Sequence, residues 1–527
     1  MILNSTSTKN ITALYAETAG SCYALRSVGV SLGLGAVSSC RMSVICEVDR
    51  KRLTSSYKLE ELSTTTDVSD LIAAFKYGDR VKVKQLSDVG EMLLFDGYVT
   101  VTSTSVSSAV GSFAFDCNVV LQSPAALYNN EATHINAYWC TANPASNGEF
   151  AALGVVAADA VNAVATSRIS AADPFNPAKF AANCIDATVD LRKTEIDGFD
   201  TVSKSYEKLS SFIDLATAPS MDFTLVGGEI AQSKESAARS ELAARISETD
   251  ILTQLQSNSG LAVFNAHIAQ FGLVLAPRVG KLTRAGEPSL AVIPNIGINS
   301  DVSFKVTPAD VVGYSDQPPQ HSLGKYHAVA VRISPYGVTT DNSAVNCVLW
   351  AAGHDKNGKP KLYGGVKLNA YDDKHKRDAQ LFKALGPITV LQLPRWLTCI
   401  GPNKGSKNNK DHAALFENYA NARAKTYYAQ GLFAPGRVTV RVLYSELDKF
   451  YNHIGDEAEI DLSSVADGVG TKLEPKYGRL IGVNYHIAAD ATAFTASCAL
   501  DFDCVCTKEE HAAFAVSAEG MLCTTTK

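Results

Sequence analysis

The chain has 527 residues, a net charge of −6 and a pI near 6.0. This length is too great for one hydrophobic core, so several domains are expected. The net acidic charge excludes the basic surface of a protein that binds duplex nucleic acid, so no specific nucleic-acid binding is predicted. The sequence has no run of roughly 18 apolar residues, so no membrane segment is predicted. Apolar residues make up 46% and charged residues 19%, a core-forming composition that is slightly poor in charge.

The first residues and the cysteines indicate the compartment. Met1–Thr6 has no basic region before an apolar stretch, so no secretory signal is predicted and folding in a cytoplasm is expected. The twelve cysteines are scattered and form no Cys-x-x-Cys pair, which argues against a zinc ribbon or a thioredoxin-type site. Several occupy apolar strand positions, as Cys46 does, and most are expected to be reduced core thiols. No cofactor and no metal site are predicted.

The first half of the chain is predicted to change from strands to helices. Residues 1–130 are predicted to form a β domain with one short helix over Asp67–Lys76, where apolar residues recur at helical spacing. Residues 131–300 are predicted to form a mixed, partly helical insertion domain, with helices over Glu149–Ile169 and Ser233–Gln256. The strands predicted in the first domain are Met42–Val48, Val81–Val83, Met92–Val101 and Phe113–Leu121.

The second half returns to strands. Residues 301–400 are predicted to form a β-rich domain, and residues 401–527 a further β domain with a helix over Asp411–Gln430. The fold class is therefore predicted to be mainly β with α insertions (α+β). The strands predicted here are Ala328–Ile333, Val345–Trp350, Arg437–Val442, Glu459–Leu462, Gly478–Val483 and Phe494–Phe502.

The most informative feature is a pattern that occurs twice. The first copy begins with Tyr77–Val83 (YGDRVKV) and continues, after a spacer, with Leu94–Val99 (LFDGYV). The second copy begins with Ile454–Ile460 (IGDEAEI) and continues with Arg479–Val483 (RLIGV). Each copy ends in a further predicted strand, so each is predicted to be a unit of the same local structure.

The two copies have the same physical interpretation. Gly-Asp is typical of a turn that starts a strand, because glycine adopts positive φ and aspartate hydrogen-bonds the turn backbone. A glycine in the middle of the returning strand usually marks a bulge or a barrel corner. Two similar small β-barrels with a mixed helical insertion between them are therefore predicted. The residues assigned to the barrel turns are Gly78, Asp79, Gly97, Gly455, Asp456 and Gly482.

These motifs, in this order, resemble the hub proteins of phage tails. That family includes the baseplate hubs of contractile phages and the hub part of VgrG-type injection proteins, and the resemblance covers residues 40–130 and 410–505. It implies a homotrimer in which each chain supplies two barrels to a ring of six. Such a ring would be a structural adaptor between a six-fold tail tube and a three-fold central spike, so the implied partners are the tube protein, the spike and other baseplate proteins. The implied location is the tail tip of the virion, after assembly in the host bacterial cytoplasm.

Two other functions remain open, a tail-associated cell-wall hydrolase and a receptor-binding tail protein. A hydrolase needs two carboxylates that flank a cleft, or a metal with a general base. A receptor-binding surface would favour clustered aromatic residues, and Tyr427–Tyr428 is the candidate. Neither Gly-x-Ser-x-Gly nor His-Glu-x-x-His occurs, so we expect a protein that is not an enzyme. The carboxylates available in the middle region are Glu149, Asp159, Glu195, Asp197 and Asp200.

A ring of subunits must also cover its strand edges. An exposed sheet edge recruits other strands, and obligate interfaces bury large apolar areas. The strands near Leu94–Val101 and Arg437–Val442 are therefore predicted to lie at or near subunit contacts.

Overall fold

The structure is a computed structural model, and it describes eighteen parts of the chain. The predicted helices Glu149–Ile169 and Ser233–Gln256 lie outside these parts, as do the five carboxylates named above as hydrolase candidates. The described residues are 11–49, 68–87, 90–109, 112–129, 176–190, 208–220, 259–278, 290–317, 328–333, 346–354, 356–367, 388–392, 421–431, 437–442, 450–465, 473–489, 494–518 and 521.

Strands dominate the described part of the chain, and short helices lie between them. The helices are α1 (Val68–Ala74), α2 (Pro177–Asp190), α3 (Gly260–Gln270), α4 (421–431) and α5 (Lys508–Phe514). The strands are β1 (Ile11–Glu17), β2 (Cys22–Gly33), β3 (Ser39–Val48), β4 (Arg80–Ser87), β5 (Gly90–Ala109), β6 (Ser112–Gln122), β7 (Ile213–Asp214), β8 (Leu273–Pro277), β9 (Leu290–Pro294), β10 (Val302–Val306), β11 (Val311–Gln317), β12 (Ala328–Ile333), β13 (Asn346–His354), β14 (Pro360–Lys367), β15 (Ile388–Gln392), β16 (Arg437–Val442), β17 (Glu457–Ile460), β18 (Lys476–Ala489) and β19 (Phe494–Cys506).

Most of these strands belong to one 12-stranded sheet. Its main path is β1-β4-β5-β6-β3-β2-β18-β19-β16-β11, and β17 connects β10 to β18 beside that path. Two smaller sheets have the orders β14-β13-β12-β15 and β7-β9-β8. The prediction of a mainly β fold with α insertions is therefore confirmed. The four predicted domain boundaries stay a prediction.

The prediction of two separate β-barrels is not confirmed, because both repeat copies belong to the same sheet. Gly482–Ala488 of β18 pairs antiparallel with Ser27–Gly33 of β2, and we call this pairing the strand junction. On one side of it, β1 pairs with both β2 and β4, so the pairings run in a cycle through β1, β4, β5, β6, β3 and β2. On the other side, β10 pairs with β17 and β11 with β16.

One hydrophobic core lies under both sides of the strand junction. Leu14 and Leu121 from one side and Leu480 and Phe502 from the other are fully buried in the same cluster. The hydroxyl of the buried Tyr485 donates a hydrogen bond of 2.6 Å to the backbone oxygen of Leu94. The two sides are therefore packed together by side chains as well as by backbone pairing.

Strand β16 shows how the sequence pattern produces this burial. Its three valines are buried and its two arginines are exposed, which is the two-residue alternation of a half-buried strand. The strand was predicted at these residues, and that prediction is confirmed. Both edges of β16 are paired within the chain, because it lies between β11 and β19. Its predicted place at or near a subunit contact stays a prediction.

Helix α1 lies within the helix predicted over Asp67–Lys76. Leu71 of the helix and Phe75, the residue after its end, are buried in the large core, while Ile72 on the other side of the helix is 43% exposed. The described end of the helix predicted over Asp411–Gln430 is helix α4, and Ala328–Ile333 is a strand with the predicted bounds. Helical and strand periodicity therefore located these elements correctly.

We expect Val99 and Val101, two residues apart in β5, to respond differently to a charge. Val99 is 1% exposed in the core, whereas Val101 is 52% exposed. Val99→Asp buries a carboxylate among apolar groups, so it should lose more than about 4 kcal/mol of unfolding free energy, and Val101→Asp should stay within about 0.5 kcal/mol of the parent. Urea unfolding followed by circular dichroism measures both. Equal losses at the two positions would contradict the described burial.

Candidate functional site

The first Gly-Asp pair forms a tight turn against strand β5. Gly78 has φ of 83°, a backbone conformation that favours glycine. Its N–H donates to the Val99 oxygen at 2.9 Å, and the Val99 N–H donates to the Asp79 oxygen at 2.9 Å. This reciprocal pair of hydrogen bonds attaches the turn to the returning strand.

The second Gly-Asp pair repeats this geometry. Gly455 has φ of 98°, and its N–H donates to the Leu480 oxygen at 2.7 Å. The Leu480 N–H donates in turn to the Asp456 oxygen at 3.0 Å. Val99 and Leu480 are therefore equivalent residues, although they lie in different halves of the sequence.

The aspartates of both turns close the turn backbone in similar ways. The Asp79 N–H donates to the Lys76 oxygen at 3.0 Å, and the Asp456 N–H donates to the His453 oxygen at 2.9 Å. The carboxylates also reach back three residues. Asp79 Oδ2 accepts from the Lys76 N–H at 3.0 Å, and Asp456 Oδ2 lies 2.9 Å from the His453 Nδ1 atom.

The equivalence extends over five strands on each side of the strand junction. Strands β2, β3, β4, β5 and β6 have the same antiparallel pairings as β11, β16, β17, β18 and β19. We call these two sets the first unit and the second unit. Even the irregularities coincide, because the β5–β6 ladder shifts between Val99 and Val101 and the β18–β19 ladder between Leu480 and Gly482. Matching bulges make a chance similarity of the two units improbable, since a bulge is a local and specific feature.

The paired registers correct the alignment of the two returning glycines. Gly97 lies opposite Val81, and the corresponding pair in the second unit is Gly478 with Ala458. Gly478 is thus the counterpart of Gly97, and the sequence alignment with Gly482 was four residues out of register. Gly97 is required because a Cβ atom there would lie 2.4 Å from the Gln122 oxygen. Gly482 lies in β18 at the strand junction, opposite Gly33.

The two turns differ in what covers them. In the second unit, an Arg278 guanidinium nitrogen donates to the Ile454 oxygen at 3.0 Å, and Ile293 lies beside Gly455. Ile454 is consequently fully buried. Tyr77 holds the equivalent position in the first unit and is 66% exposed. The small sheet that contains β8 and β9 therefore covers one turn and leaves the other open.

A buried ion pair, which the sequence analysis missed, lies beside the covered turn. Arg479 donates to both carboxylate oxygens of Asp503, with Nε–Oδ1 and Nη2–Oδ2 distances of 2.9 and 2.7 Å. Its remaining terminal nitrogen donates to Asn295 Oδ1 at 2.7 Å and to the Ile296 oxygen at 3.1 Å. A paired arginine with its donors satisfied tolerates this burial. The group joins β18 and β19 to the segment that follows β9.

Glu457 lies in the same buried region and is 1% exposed. Its Oε2 atom accepts from the Asn299 N–H at 3.3 Å, and its Oε1 atom lies 3.7 Å from His511 Nε2. Burial raises the pKa of the Glu457 carboxyl to about 8, against the opposing effects of the Asn299 N–H and Arg479. Burial also lowers the pKa of His511. Glu457 is therefore mainly protonated at neutral pH.

The chemical alternatives find little support among the described residues. Tyr428 is 2% exposed and packs against Phe514, with ring centroids 6.1 Å apart, so the Tyr427–Tyr428 pair is not an exposed aromatic cluster. The described parts of the chain contain no group of three or more His, Cys, Asp or Glu side chains that could hold a metal ion. Among the described helices, none is long and apolar enough to cross a membrane.

No family model matches the chain, and a search of curated proteins gives no match. Several solved structures resemble it. A 43 kDa tail protein of prophage MuSo2 from Shewanella oneidensis is 10% identical with a TM-score of 0.40, over 95% of this chain and 99% of that chain. A tail protein from Neisseria meningitidis is 8% identical with a TM-score of 0.41, over 96% and 99%. An E. coli component of the type VI secretion system is 8% identical with a TM-score of 0.35, over 96% and 80%.

Substituting Gly455 should destabilise the fold, and substituting Gly20 should not. An alanine at Gly455 would need an unfavourable positive φ, and its Cβ would lie 2.0 Å from Ile293 Cδ1. Gly455→Ala is therefore expected to cost about 1–3 kcal/mol of unfolding free energy. A Cβ at Gly20 would meet nothing within 4 Å, so Gly20→Ala serves as the matched control. Chemical denaturation compares the two, and equal stabilities would show that the turn geometry is not required.

Glu457 should make stability depend on pH. Its folded pKa of about 8 lies above its ordinary value of 4.5, so the folded chain binds more protons and stability should fall as pH rises between these values. Glu457→Gln should remove this pH dependence, so its stability relative to that of the parent should rise as the pH increases from 4.5 to about 8. Glu459→Gln, which alters a partly exposed carboxylate 2.8 Å from Lys305, is the control. Thermal unfolding between pH 4 and pH 9 measures the difference, and parallel profiles for the parent and Glu457→Gln would contradict it.

Proposed function

We propose that this chain is a structural hub of a phage tail tip, a homotrimeric adaptor between a six-fold tail tube and a three-fold central spike. The observation that carries the proposal is the duplication of a five-stranded unit, with matching turns and bulges, inside one sheet. An internal duplication gives one chain two near-equivalent binding surfaces.

The symmetry argument is geometric. Three chains with two units each present six near-equivalent units, which suits a ring that docks on a six-fold partner. The features that differ between the units, such as the exposed Tyr77 and the covered Ile454, recur only three times in the same ring. One face of the ring can therefore follow the six-fold repeat while the diverged features follow three-fold symmetry.

The proposal includes a barrel character for each unit. In the first unit, the pairing of β1 with β2 supports closure of the strands into a barrel. In the second unit, the corresponding closure would involve β10 and β11, which are separated only by the turn at residues 307–310. The barrel turns would then be Gly78, Asp79, Gly455 and Asp456, with Gly97 and Gly482 in the returning strands. Gly478 joins this set because its register matches that of Gly97.

A structural role suits the buried carboxylate better than catalysis does. A general acid must come within hydrogen-bond reach of its substrate. Glu457 has the raised pKa of such an acid, but it is 1% exposed beneath helix α5, where His511 and Asn299 lie against it. Its position favours a role in holding the C-terminal helix. The proposed partners are accordingly the tube protein, the spike and other baseplate proteins in the virion.

The purified protein should assemble into trimers. Light scattering of the protein alone is expected to give three times the 56.1 kDa mass of the chain. Class averages of the assembled tail tip should show alternating units in a ring. A two-fold ring, or a six-fold ring of six chains, would contradict the proposal.

A second measurement separates the hub from a hydrolase. We expect no clearing of peptidoglycan in a zymogram, with a known lysozyme as the positive control. A clearing band that disappears when one carboxylate is replaced would instead support the hydrolase.

A further inference from the structure

The strand junction inside the chain shows which edges the two units use to meet. The second unit contributes Gly482–Ala488 of β18, and the first unit contributes Ser27–Gly33 of β2. Side chains also meet there, because the Ser31 hydroxyl donates to Asn484 Oδ1 at 2.7 Å.

Each unit also contains the counterpart of the edge that the other unit uses. Because Leu480 corresponds to Val99 and the next bulge is shared, Gly482–Ala488 corresponds to Val101–Ser107 of β5. The β2–β3 ladder shifts between Leu25 and Ser27, and the β11–β16 ladder shifts between Val311 and Gly313. By this register, residues 27–31 of β2 correspond to residues 313–317 of β11.

Both counterpart edges are open within the described residues. Strand β5 pairs with β4 only as far as Tyr98, and beyond Val99 its described ladder is with β6 alone. Strand β11 ends the path of the large sheet and pairs there with β16. An open edge presents backbone donors and acceptors that a further strand can bind.

Residues of the two open edges are more exposed than their counterparts at the strand junction, as expected for edges that lack a neighbouring strand. Val101 is 52% exposed, whereas its counterpart Gly482 is buried. Tyr314 of β11 is half-buried, whereas its counterpart Val28 is fully buried. The segments are therefore covered where the strand junction exists and uncovered where it does not.

We propose that β5 of one copy of the chain pairs antiparallel with β11 of a second copy and so repeats the strand junction between chains. The register of the internal junction places Ser103 opposite Gln317, Thr104 opposite Asp316 and Ser107 opposite Gly313. This inference rests on the proposed function, because it specifies how the ring closes.

A second copy is the occupant because the two open edges are complementary. Within the part of the chain that the structure describes, one open edge is of the β18 type and one is of the β2 type, and these two types already pair at the strand junction. A contact between unlike patches on identical chains is heterologous, and such contacts form a closed ring when the rotation closes. The covering of both edges then needs no other protein.

The test is a cysteine pair at the proposed contact. Ser103→Cys with Gln317→Cys places two thiols on directly opposite residues, whose Cα atoms lie about 4.5–5.5 Å apart, within disulfide range. Mild oxidation should convert most of the double variant into covalent oligomers on a non-reducing gel. Seven of the twelve cysteines are buried, and the parent protein measures any cross-linking by the other five. The seven are Cys22, Cys40, Cys46, Cys117, Cys498, Cys504 and Cys506.

Two controls fix the register. Ser31→Cys with Asn484→Cys should form a disulfide within one chain, because these side chains already meet at the internal junction. Ser103→Cys with Ser315→Cys is two residues out of register, which adds about 6.6 Å along the strand and exceeds disulfide range. It should form far fewer cross-links than the in-register pair.

The outcomes separate this inference from the trimer. A ladder of cross-linked products that ends at three chains supports both the β5–β11 contact and the trimer. A mixture of the two single variants, Ser103→Cys and Gln317→Cys, should give products of no more than two chains. A ladder that ends at another number supports the contact and refutes the trimer. If the Ser31/Asn484 control forms its disulfide but the Ser103/Gln317 pair yields no covalent oligomer, the contact is refuted, whatever mass light scattering gives.

Discussion

The structure depends on the antiparallel pairing of β18 with β2. This pairing joins segments more than 400 residues apart in the sequence, and it merges two units into one sheet over one core. The buried Tyr485, which lies in the paired segment of β18, hydrogen-bonds the Leu94 oxygen of the first unit. Backbone pairing and a shared core together fix the orientation of one unit relative to the other, and a ring needs such a fixed angle if it is to close.

The two units have diverged most where other parts of the chain lie against them. The second unit packs against the segment after β9 and against helix α5, and it holds the buried Arg479–Asp503 pair and Glu457 there. Burial of the Arg479 and Asp503 charges carries a desolvation cost, which their mutual attraction offsets only where the geometry is good, as in this pair with two hydrogen bonds. The first unit has a similar pair, Arg80 with Asp96 at 3.0 Å, but in a more exposed place.

Local patterns predicted local structure well. The alternation in Arg437–Val442 and the helical spacing around Leu71 correspond to a strand and a helix, and the Gly-Asp pairs form turns with positive φ. The sequence could not specify the strand junction, because polar and small residues such as Ser31 and Asn484 give no signal of a long-range partner. It also misaligned Gly482 with Gly97, because β18 contains a second glycine, Gly478, four residues earlier, and the spacer before the returning strand is longer in the second copy. Glu457 occurs within an alternating pattern and looks like a surface carboxylate until the covering segments are known.

If β5 and β11 pair between chains as proposed, their edges need protection before assembly, and β11 has features that can supply it. An exposed edge pairs with unintended strands unless charges or bulges interrupt it. Strand β11 has a bulge after Val311 and the exposed Asp316, whose carboxylate lies 2.6 Å from the Lys476 ammonium and accepts a hydrogen bond from the Tyr314 hydroxyl at 2.7 Å. The internal junction has no such charge at the equivalent position, since Val30 lies there and is buried. In the proposed contact the partner of β11 comes from another chain, whereas the partner of β2 is present in the same chain. The charge and the bulge therefore lie on the edge that would have to be kept from unintended strands until a second chain is bound.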